Sequence, residues 1–314
     1  MTIAIDMMGG DFAPLEAVKG IAQFLPENEN PPHLLCLGDE ATLNELFALD
    51  GLSNHPFIKI LHAPEVIGYN DHPAKALKEK QKSSITIGFQ LLAKNEVDAF
   101  ISAGNTGAML IGAMLMLKPV EGVLRPTIGT IIPKLDGSTG IMLDAGLNTD
   151  CKAEHLNQFA ILGSLYAQYM LQIQKPKVAL LNVGEEEEKG NLLTKAAYPL
   201  LKENNQINFI GNVEGRDLFT GNSEVIVCDG FTGNVVLKMA ESFYSIAKER
   251  HFEKDEYMSR FQYENYGGIP VLGISKPVII GHGISNSKAF HNMIGVAQLM
   301  VETKLTEKIG EAFK

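Results

Sequence analysis

The chain of 314 residues has no tryptophan and only three cysteines, Cys36, Cys151 and Cys228, which lie far apart. Because no C-x-x-C pair occurs, neither a disulfide framework nor a zinc cluster fits these cysteines. The longest purely apolar and glycine run, residues 108–117, is about half of the ~20 residues that a bilayer requires. The N-terminus lacks the basic start of a signal peptide. The sequence therefore predicts a cytoplasmic protein without a transmembrane helix.

Positive charge is also scarce. The chain has 27 Lys and Arg residues against 37 Asp and Glu residues, for a net charge of −10. This balance argues against broad electrostatic binding of nucleic acid, which needs a basic surface. Hydrophobic residues make up 45% of the chain and charged residues 20%, which is too apolar for intrinsic disorder. An anionic ligand must therefore be held by local features.

Short apolar runs alternate with helical patterns along nearly the whole chain, which predicts an α/β fold with a mainly parallel sheet. The expected strands are residues 2–8, 33–37, 57–62, 98–102, 126–132, 140–143, 177–182, 209–213, 225–228 and 277–281. The expected helices are residues 14–25, 41–49, 73–94, 106–118, 151–173, 190–203, 233–250 and 287–305. We expect a single catalytic domain over residues 1–314, with a charged helical excursion at about 239–265 that packs on the domain, on a second copy, or on a partner or membrane.

Several of the expected strands end in a turn rich in Gly, Asn, Asp or Ser. These turns are residues 6–11, 102–107, 144–150, 182–186, 229–234 and 282–286. In a parallel α/β sheet, such turns gather at the carboxyl ends of the strands, where ligands bind. We therefore expect the six turns to line one crevice.

The turn Ser102-Ala-Gly-Asn-Thr-Gly107 carries the sharpest signal. A glycine-rich turn that opens a helix presents free backbone N–H groups and the positive end of the helix dipole to an anion. This pattern favours a phosphate site, although the same glycines also suit a tight turn with no ligand. The sequence has neither a P-loop motif nor a G-x-G-x-x-G after the first strand.

Titratable side chains add few candidates. Lysines at 75, 78, 80 and 82 precede the 102–107 turn, and helical spacing separates Lys80 from the others, so it alone is expected to reach inward. His282 follows the last expected strand, where it could donate to an oxyanion or a leaving group. A histidine that only satisfies loop carbonyls fits the same pattern. No motif for a covalent acyl-enzyme is present, so the nucleophile is expected to be a substrate.

The turns also form a series in chain order. They read Asp-x-Met-Gly-Gly-Asp-x-x-Pro, Ser-Ala-Gly-Asn-Thr-Gly-Ala, Leu-Asp-Ala-Gly-x-Asn-x-Asp-Cys, Asn-Val-Gly-Glu-Glu, Glu-Gly-Arg-Asp, Asp-Gly-Phe-Thr-Gly-Asn, Tyr-Gly-Gly and His-Gly-x-Ser-Asn. This series resembles that of the bacterial phosphate acyltransferases, the PlsX family, over nearly the whole chain. The resemblance implies conversion of acyl-[acyl carrier protein] and inorganic phosphate into acyl phosphate and free carrier protein, in phospholipid synthesis, without a cofactor or metal.

The resemblance also implies a homodimer with a Rossmann-like three-layer αβα sandwich, related to the phosphotransacetylase and isocitrate/isopropylmalate dehydrogenase folds. The resemblance leaves room for a membrane glycerol-3-phosphate acyltransferase as a further partner. Peripheral contact with the inner face of the membrane is left open, because the excursion is shorter and more charged than the family's apolar-tipped helical hairpin. The acidic carrier protein is expected to dock on a local basic patch drawn from Lys75, Lys78, Lys82, Lys248 and Arg250.

Phosphate is an anionic nucleophile, so this chemistry needs positioning and oxyanion donors more than deprotonation. The catalytic candidates are His282, Asn234, Asn286 and Lys80. The candidates for binding substrate or phosphate are Asp6, Gly9, Gly10, Asp11, Ser83, Ser102, Gly104, Asn105, Thr106, Gly107, Asp144, Asn148, Asn182, Gly184, Glu185, Asp229, Thr232, Gly233 and Ser285. Two alternatives stay open: a metal- and NAD-dependent hydroxy-acid dehydrogenase of the isopropylmalate type, and a non-catalytic module that binds the carrier protein.

Overall fold

The computed structural model describes residues 1–252 and 254–314. Its strands are β1 (Thr2–Asp6), β2 (His33–Gly38), β3 (Ile58–His62), β4 (Ala99–Ser102), β5 (Thr127–Pro133), β6 (Thr139–Leu143), β7 (Lys177–Leu181), β8 (Asn208–Val213), β9 (Val225–Val227), β10 (Gly268–Leu272) and β11 (Val278–Gly281). Its helices are α1 (Leu15–Glu27), α2 (Glu40–Leu49), α3 (Pro73–Glu79), α4 (Ser84–Ala93), α5 (Thr106–Gly112), α6 (Ala153–Tyr169), α7 (Leu192–Glu203), α8 (Gly230–Glu249), α9 (Glu256–Ser259), α10 (Ser287–Glu302) and α11 (Leu305–Ala312).

The chain divides into two compact units. Unit 1 consists of Met1–Lys118 and Tyr263–Glu302, and unit 2 of Pro119–Gln262 and Thr303–Lys314. The single catalytic domain expected from the sequence stays a prediction.

The sheet of unit 1 has the strand order β3-β2-β1-β4-β11-β10, in which only the β10–β11 pair of these described strands is antiparallel. The apolar residues of β1, such as Ile3 and Ile5, are fully buried, as expected of a strand covered on both faces. The order reverses at β1, which pairs with β2 on one side and β4 on the other. In α/β sheets, ligands bind outside the carboxyl ends of the strands at such a reversal.

The sheet of unit 2 has the order β5-β6-β9-β7-β8, with β5 and β6 antiparallel and the other pairs parallel. Buried Met142, Leu181 and Ile226 belong to one cluster of its core. Because β9 lies between β6 and β7, the turns that follow β6 and β9 leave the same edge of the sheet. The mainly parallel α/β fold predicted from the sequence is therefore confirmed.

Some expected elements were wrong in detail. The helix expected over 73–94 is two helices, because the chain leaves helical geometry at Lys80 and Ser83 then caps α4 by accepting the Thr86 amide. The long last helix ends at Glu302, and α11 follows a left-handed Lys304. Strand β10 was missed because its sequence, GIPVL, carries a proline that argues against a strand.

The expected excursion corresponds to the second half of α8, to α9 and to a short 3-10 turn, and Glu253 lies outside the described residues. Within unit 2, the rings of Phe219, Phe243 and Phe261 contact one another with centroids 5.4–5.9 Å apart. One side of this segment therefore packs on its own unit. Among the described residues, no helix is both long enough and apolar enough to cross a membrane.

Candidate active site

The first strand of unit 1 ends on a buried carboxylate, Asp6, which is 1% exposed. Asp6 accepts the Ser102 hydroxyl at 2.6 Å and the Met8 amide at 3.0 Å. Ser84 and the Gly9 amide also hydrogen-bond to it. Asp6 therefore joins the turn after β1 to the end of β4 and to the first turn of α4.

Burial determines the electrostatics of Asp6. It raises the pKa of the Asp6 carboxyl, and the hydrogen bonds from the two serines and two backbone amides oppose part of that rise. None of these partners carries a positive charge. Because both carboxyl oxygens are engaged in these hydrogen bonds, Asp6 is suited to orienting the turns around it rather than to contacting phosphate.

The 102–107 turn leads into α5. Asn105 caps this helix by accepting the Ala108 amide at 2.9 Å, and the Gly104 amide donates to Ser102 Oγ at 3.0 Å. Thr106 begins the helix and is exposed. The helix continues into a π-helical segment, Ala113–Leu117, so the amides of its first turn sit at the end of twelve helical residues. Amides in a first turn have no intrahelical acceptor, which makes them available to an anion.

The turn after β1 meets both the 102–107 turn and the turn after β11. A Cβ atom on Gly9 would lie 2.6 Å from the Gly104 amide nitrogen, so the β1 turn needs glycine at this point. The Asp11 amide donates to the Gly283 carbonyl at 2.7 Å. The structure thus brings three predicted turns of unit 1, those after β1, β4 and β11, into contact.

Lys80 and Asn105 both hold the segment of residues 66–71. Lys80 Nζ donates to Asp71 Oδ2 at 2.5 Å and to the Val66 carbonyl at 2.8 Å. The Lys80 contact lowers the pKa of Asp71. Asn105 Nδ2 donates to the carbonyls of Gly68, at 2.9 Å, and Asp71, at 3.3 Å. The contacts of Lys80, whose side chain is 35% exposed, fasten this segment. Its inward reach and its catalytic role stay predictions.

His282 is exposed at the start of the turn after β11. Its Nδ1 accepts the Ile284 amide at 3.3 Å, and its ring lies 5.2 Å from that of Tyr263. With Nδ1 as the acceptor, the neutral imidazole is inferred to carry its proton on Nε2. That tautomer suits a hydrogen-bond donor.

The other two predicted residues of this turn are engaged in building it. Ser285 is buried, and its hydroxyl donates to the His282 carbonyl at 2.6 Å. Asn286 accepts the Ala289 amide at 3.0 Å at the start of α10, and its amide group donates to Glu264. Ser285 therefore supports the backbone of His282, whereas Asn286 fixes the start of α10. Direct contact with substrate stays a prediction for each.

In unit 2, Asp144 organises the turn after β6. It is fully buried, and its Oδ1 accepts the amides of Gly146 and Leu147 at 3.1 and 3.0 Å. Its Oδ2 accepts the Asn148 amide at 2.6 Å and the Asn148 side chain at 2.7 Å. Both predicted residues thus stabilise the loop through their own contacts.

The turn after β9 packs against the Asp144 turn. Asp229 caps α8 by accepting the Thr232 amide at 2.9 Å and its hydroxyl at 2.8 Å, and the Gly230 amide donates to the Asn148 carbonyl. A Cβ atom on Gly146 would lie 3.2 Å from Asn234 Oδ1. Of these polar residues, Asn234 is the exposed one, so it is the side chain of this turn best placed to meet a ligand.

The turn after β7 is built differently. Asn182 Nδ2 donates to the Lys189 carbonyl at 3.1 Å, and the Asn182 backbone amide donates to the Val213 carbonyl at 2.8 Å. Asn212 on β8 donates to the Glu186 carbonyl at 2.9 Å. These contacts direct the turn toward β8, and they leave Glu185 exposed. Ligand contacts by Asn182, Gly184 and Glu185 stay predictions.

Sequence reasoning missed three residues of the unit 1 site. Ser84, not Ser83, hydrogen-bonds to Asp6, because Ser83 is used as the cap of α4. Asp71 pairs with Lys80, and Tyr69 lies against Gly283. The polar run Tyr69-Asn-Asp-His before Pro73 is a typical lead into a helix and offered no chemical motif. These residues could have been found only by predicting that the helix expected over 73–94 is interrupted between α3 and α4.

Among the described residues, no group of three His, Cys, Asp or Glu side chains is arranged to hold a metal ion. The cysteines of unit 2 lie near the Asp144 turn, where burial raises the pKa of Cys151 to about 11. Burial also raises the pKa of Cys228, whose thiol lies 3.7 Å from the Asp144 carbonyl oxygen. Thiols with raised pKa values are poor nucleophiles at neutral pH.

Comparison with known proteins places this site in context. A family described as "Fatty acid synthesis protein" matches residues 1–308. The chain is 43% identical to a phosphate acyltransferase of Dictyoglomus turgidum, covering 99% of this chain and 97% of that one. It is also 43% identical to a phosphate acyltransferase of Thermoanaerobacterium thermosaccharolyticum, covering 98% and 96%.

Solved structures agree on the fold. A phosphotransacetylase from Streptococcus pyogenes aligns with a TM-score of 0.66 at 16% identity, covering 96% of this chain and 94% of that one. A structure described as a putative 4-hydroxythreonine-4-phosphate dehydrogenase from Salmonella typhimurium aligns with a TM-score of 0.57 at 15% identity, covering 95% and 99%. At such low identity the likeness concerns the fold alone, and it confirms the Rossmann-like α/β class.

Proposed function

Because this chain belongs to the family of phosphate acyltransferases, we propose that it transfers the acyl group of an acyl-[acyl carrier protein] to inorganic phosphate. The products are an acyl phosphate and the free carrier protein. The observation that carries the proposal is the meeting of three turns in unit 1, at residues 9–11, 102–107 and 282–285. Their exposed polar members are Asp11, Thr106 and His282.

The reaction needs no covalent enzyme intermediate. A phosphate oxygen attacks the thioester carbonyl carbon and forms a C–O bond, and the carbonyl oxygen becomes a tetrahedral oxyanion. The C–S bond then breaks, and the carrier's sulfur leaves as a thiolate that takes a proton from solvent. With a reference thiol pKa of about 8.5, this leaving group needs little help near neutral pH. Positioning can supply roughly 7–11 kcal/mol of the barrier.

The residues of unit 1 divide into two roles in this proposal. The first-turn amides of α5 and the Thr106 hydroxyl hold phosphate, because a helix N-terminus attracts an anion. His282 donates from Nε2 to the developing oxyanion, a contribution that is worth about 10²–10³ in rate. Asp6, Ser84, Ser102, Asn105 and Lys80 keep the turns in place through the hydrogen bonds given above.

For unit 2 taken by itself, we propose that exposed Asn234 is a ligand-contacting residue. We also propose that the protein is a homodimer. Support comes from one face of α8, where Phe231, Val235, Met239 and Ile246 are all more than half exposed. Their 4-4-7 spacing keeps them on one side of the helix, which is an apolar surface that a second copy would cover. Sedimentation of Val235→Glu, compared with the wild type, tests this point.

Of the alternatives, the dehydrogenase has only the fold in its favour, since the likeness to a dehydrogenase structure is at 15% identity. The non-catalytic module is distinguished from the enzyme by one measurement. Acyl carrier protein loaded with an acyl chain is incubated with the protein at increasing phosphate concentrations, and loss of the thioester is followed. An enzyme gives phosphate-dependent turnover, whereas a binding module gives a stable complex and none.

The same assay tests the phosphate site. Thr106→Ala removes one hydrogen bond to a charged ligand, so we expect the phosphate KM to rise about tenfold with little change in kcat. Thr306→Ala in the first turn of α11 is the matched control. If Thr106→Ala and Gly104→Val both leave phosphate saturation unchanged, the site lies elsewhere. If the wild type shows no phosphate-dependent turnover, the proposed function itself is wrong.

A further inference from the structure

Residues 66–71, called the strap here, lie beside the three turns of the unit 1 site. The strap has no regular secondary structure, yet both Lys80 and Asn105 hold it. Within it, the Gly68 amide donates to Asp71 Oδ2 at 2.7 Å, the same oxygen that accepts from Lys80. Asn105 is the residue that caps α5, so the strap is fastened directly to the expected phosphate turn.

Fastening the strap places Tyr69 over the turn after β11. A Cβ atom on Gly283 would lie 1.9 Å from the Tyr69 hydroxyl oxygen and 2.7 Å from its Cζ. Real atoms cannot approach so closely, so any side chain at position 283 would have to displace the tyrosine. Glycine at this position is therefore explained by the presence of Tyr69, and not by backbone conformation, since Gly283 has no positive φ.

Gly283 is itself in contact with the other two turns. Its carbonyl accepts the Asp11 amide at 2.7 Å. A Cβ atom on Gly10 would lie 3.3 Å from that carbonyl oxygen and 3.5 Å from the Cβ of Ala103. A continuous row of contacts therefore runs from Tyr69 through Gly283 and Gly10 to Ala103, which belongs to the 102–107 turn.

The Tyr69 hydroxyl is available to a ligand. Tyr69 is 53% exposed, and within residues 1–252 and 254–314 its hydroxyl has no hydrogen-bond partner. Burial of part of the ring, together with the nearby charge of Asp11, raises the pKa of Tyr69. The phenol therefore stays protonated at neutral pH, and a protonated phenol can donate to an anion.

We propose that Tyr69 is a further ligand-contacting residue, whose hydroxyl donates to an oxygen of the phosphate substrate, and that Gly283 lacks a side chain in order to leave it room. This inference rests on the proposed function, because it takes phosphate to be the ligand of unit 1. It assigns to the strap a direct part in substrate binding, in addition to the structural contacts of Lys80 and Asn105.

The first test is Tyr69→Phe, which keeps the ring and removes only the hydroxyl. We expect the KM for phosphate to rise about tenfold, as for one lost hydrogen bond to a charged group, with kcat within twofold of the wild type. Inorganic phosphate should also raise the Tm of Tyr69→Phe less than that of the wild type. Tyr244→Phe, on the partly exposed face of α8, is the matched control and should change neither value.

The second test uses the contact with Gly283. Gly283→Ala should raise the phosphate KM because its methyl group displaces the tyrosine. Adding Tyr69→Ala to that variant removes the obstruction, so the double variant should match Tyr69→Ala alone instead of showing the product of the two effects. If Gly283→Ala does not fold, Tyr69→Phe decides the matter.

The outcomes separate this inference from the proposed function. If Thr106→Ala raises the phosphate KM and Tyr69→Phe does not, the phosphate site stands and the role of Tyr69 is wrong. If the KM increases of Gly283→Ala and Tyr69→Ala multiply in the double variant, the role of Tyr69 is also wrong. The contact with Tyr69 would then not explain why position 283 is a glycine. If no turnover depends on phosphate, the proposed function fails. Independently of turnover, a phosphate-induced rise in Tm that is the same in Tyr69→Phe as in the wild type overturns the inference about Tyr69.

Discussion

Replacing Gly9 by alanine is expected to separate the turns that build the unit 1 site. The new methyl carbon would lie 2.4 Å from Asp6 Oδ2, 2.6 Å from the Gly104 nitrogen and 2.8 Å from the Gly104 Cα. Favourable contacts between such atoms begin at about 3.5 Å, so one of the two turns must move by about 1 Å. Because two of the three obstructing atoms belong to Gly104, the turn of residues 102–107 is the part most directly displaced.

A displacement of that size has a predictable cost. Misplacing a reacting group by about 1 Å can lower the rate about 10²-fold, so kcat/KM for phosphate should fall by about that factor. Overpacking in a buried region destabilises by about 1–3 kcal/mol, which should lower the Tm by several degrees without unfolding the protein at 25 °C. Asp6 is 1% exposed, so little solvent space is available to relieve the contact.

The assay is phosphate-dependent loss of acyl-[acyl carrier protein], measured for the wild type, Gly9→Ala and a control. Gly215→Ala is the control, because a Cβ atom there would meet nothing within 4 Å. Gly215→Ala should retain wild-type kinetics, which would show that a glycine-to-alanine change is harmless in itself. A folded Gly9→Ala protein with kcat/KM for phosphate close to that of the wild type would refute the contact between the two turns as the basis of the site.

Three further predictions concern charge and hydrogen bonding. His282→Ala should lower kcat about 10²-fold with little change in either KM, and His282→Gln should recover part of the loss, because Gln can donate where Nε2 does; wild-type kcat in His282→Ala would make the residue structural. For Asp6, burial raises the pKa above its ordinary value of 3.8, so the folded state favours the protonated form. Its contribution to stability is present below about pH 4 and is lost as the pH rises through the raised pKa. The free energy of unfolding of the wild type relative to Asp6→Asn should therefore fall with rising pH, by at most about 1.4 kcal/mol per pH unit, in urea titrations; a rise would contradict this sign. Reversing the charge of exposed Lys75, Lys78, Lys82, Lys248 and Arg250, each in its own variant, should weaken salt-sensitive binding of the acidic carrier protein and spare the phosphate KM; unchanged binding in all five variants would contradict this expectation.

Much of the fold could be read from the sequence because its signals are local. Buried parallel strands are short apolar runs, and polar glycine-rich turns mark their carboxyl ends, so the strands at residues 2–6 and 99–102 and the turns that follow them were predicted correctly. Helix α5 was likewise predicted to begin at Thr106, because a glycine-rich turn precedes it, and in the structure Asn105 caps it. The order of the motifs along the chain was enough to indicate the family.

Only the tertiary structure decided which polar side chains are available for chemistry. Five polar residues of the predicted turns use their side-chain oxygens in hydrogen bonds that cap a helix or hold a loop. They are Asp6, Asn105, Asp144, Asp229 and Asn286. A capping carboxylate or amide and a ligand-binding one have the same sequence signature, since both follow a strand and precede a helix.

The strap was beyond sequence reasoning for a different reason. Tyr69 lies 214 positions before Gly283, and nothing local in either segment indicates the contact. The sequence by itself determined most of the strands and the turns that follow them, and it predicted an anion site at the start of α5, because hydrophobic pattern, turn chemistry and helix dipole act over a few residues. The partners of each side chain were decided by the strand order of the folded sheet, because that order brings distant turns to the same edge.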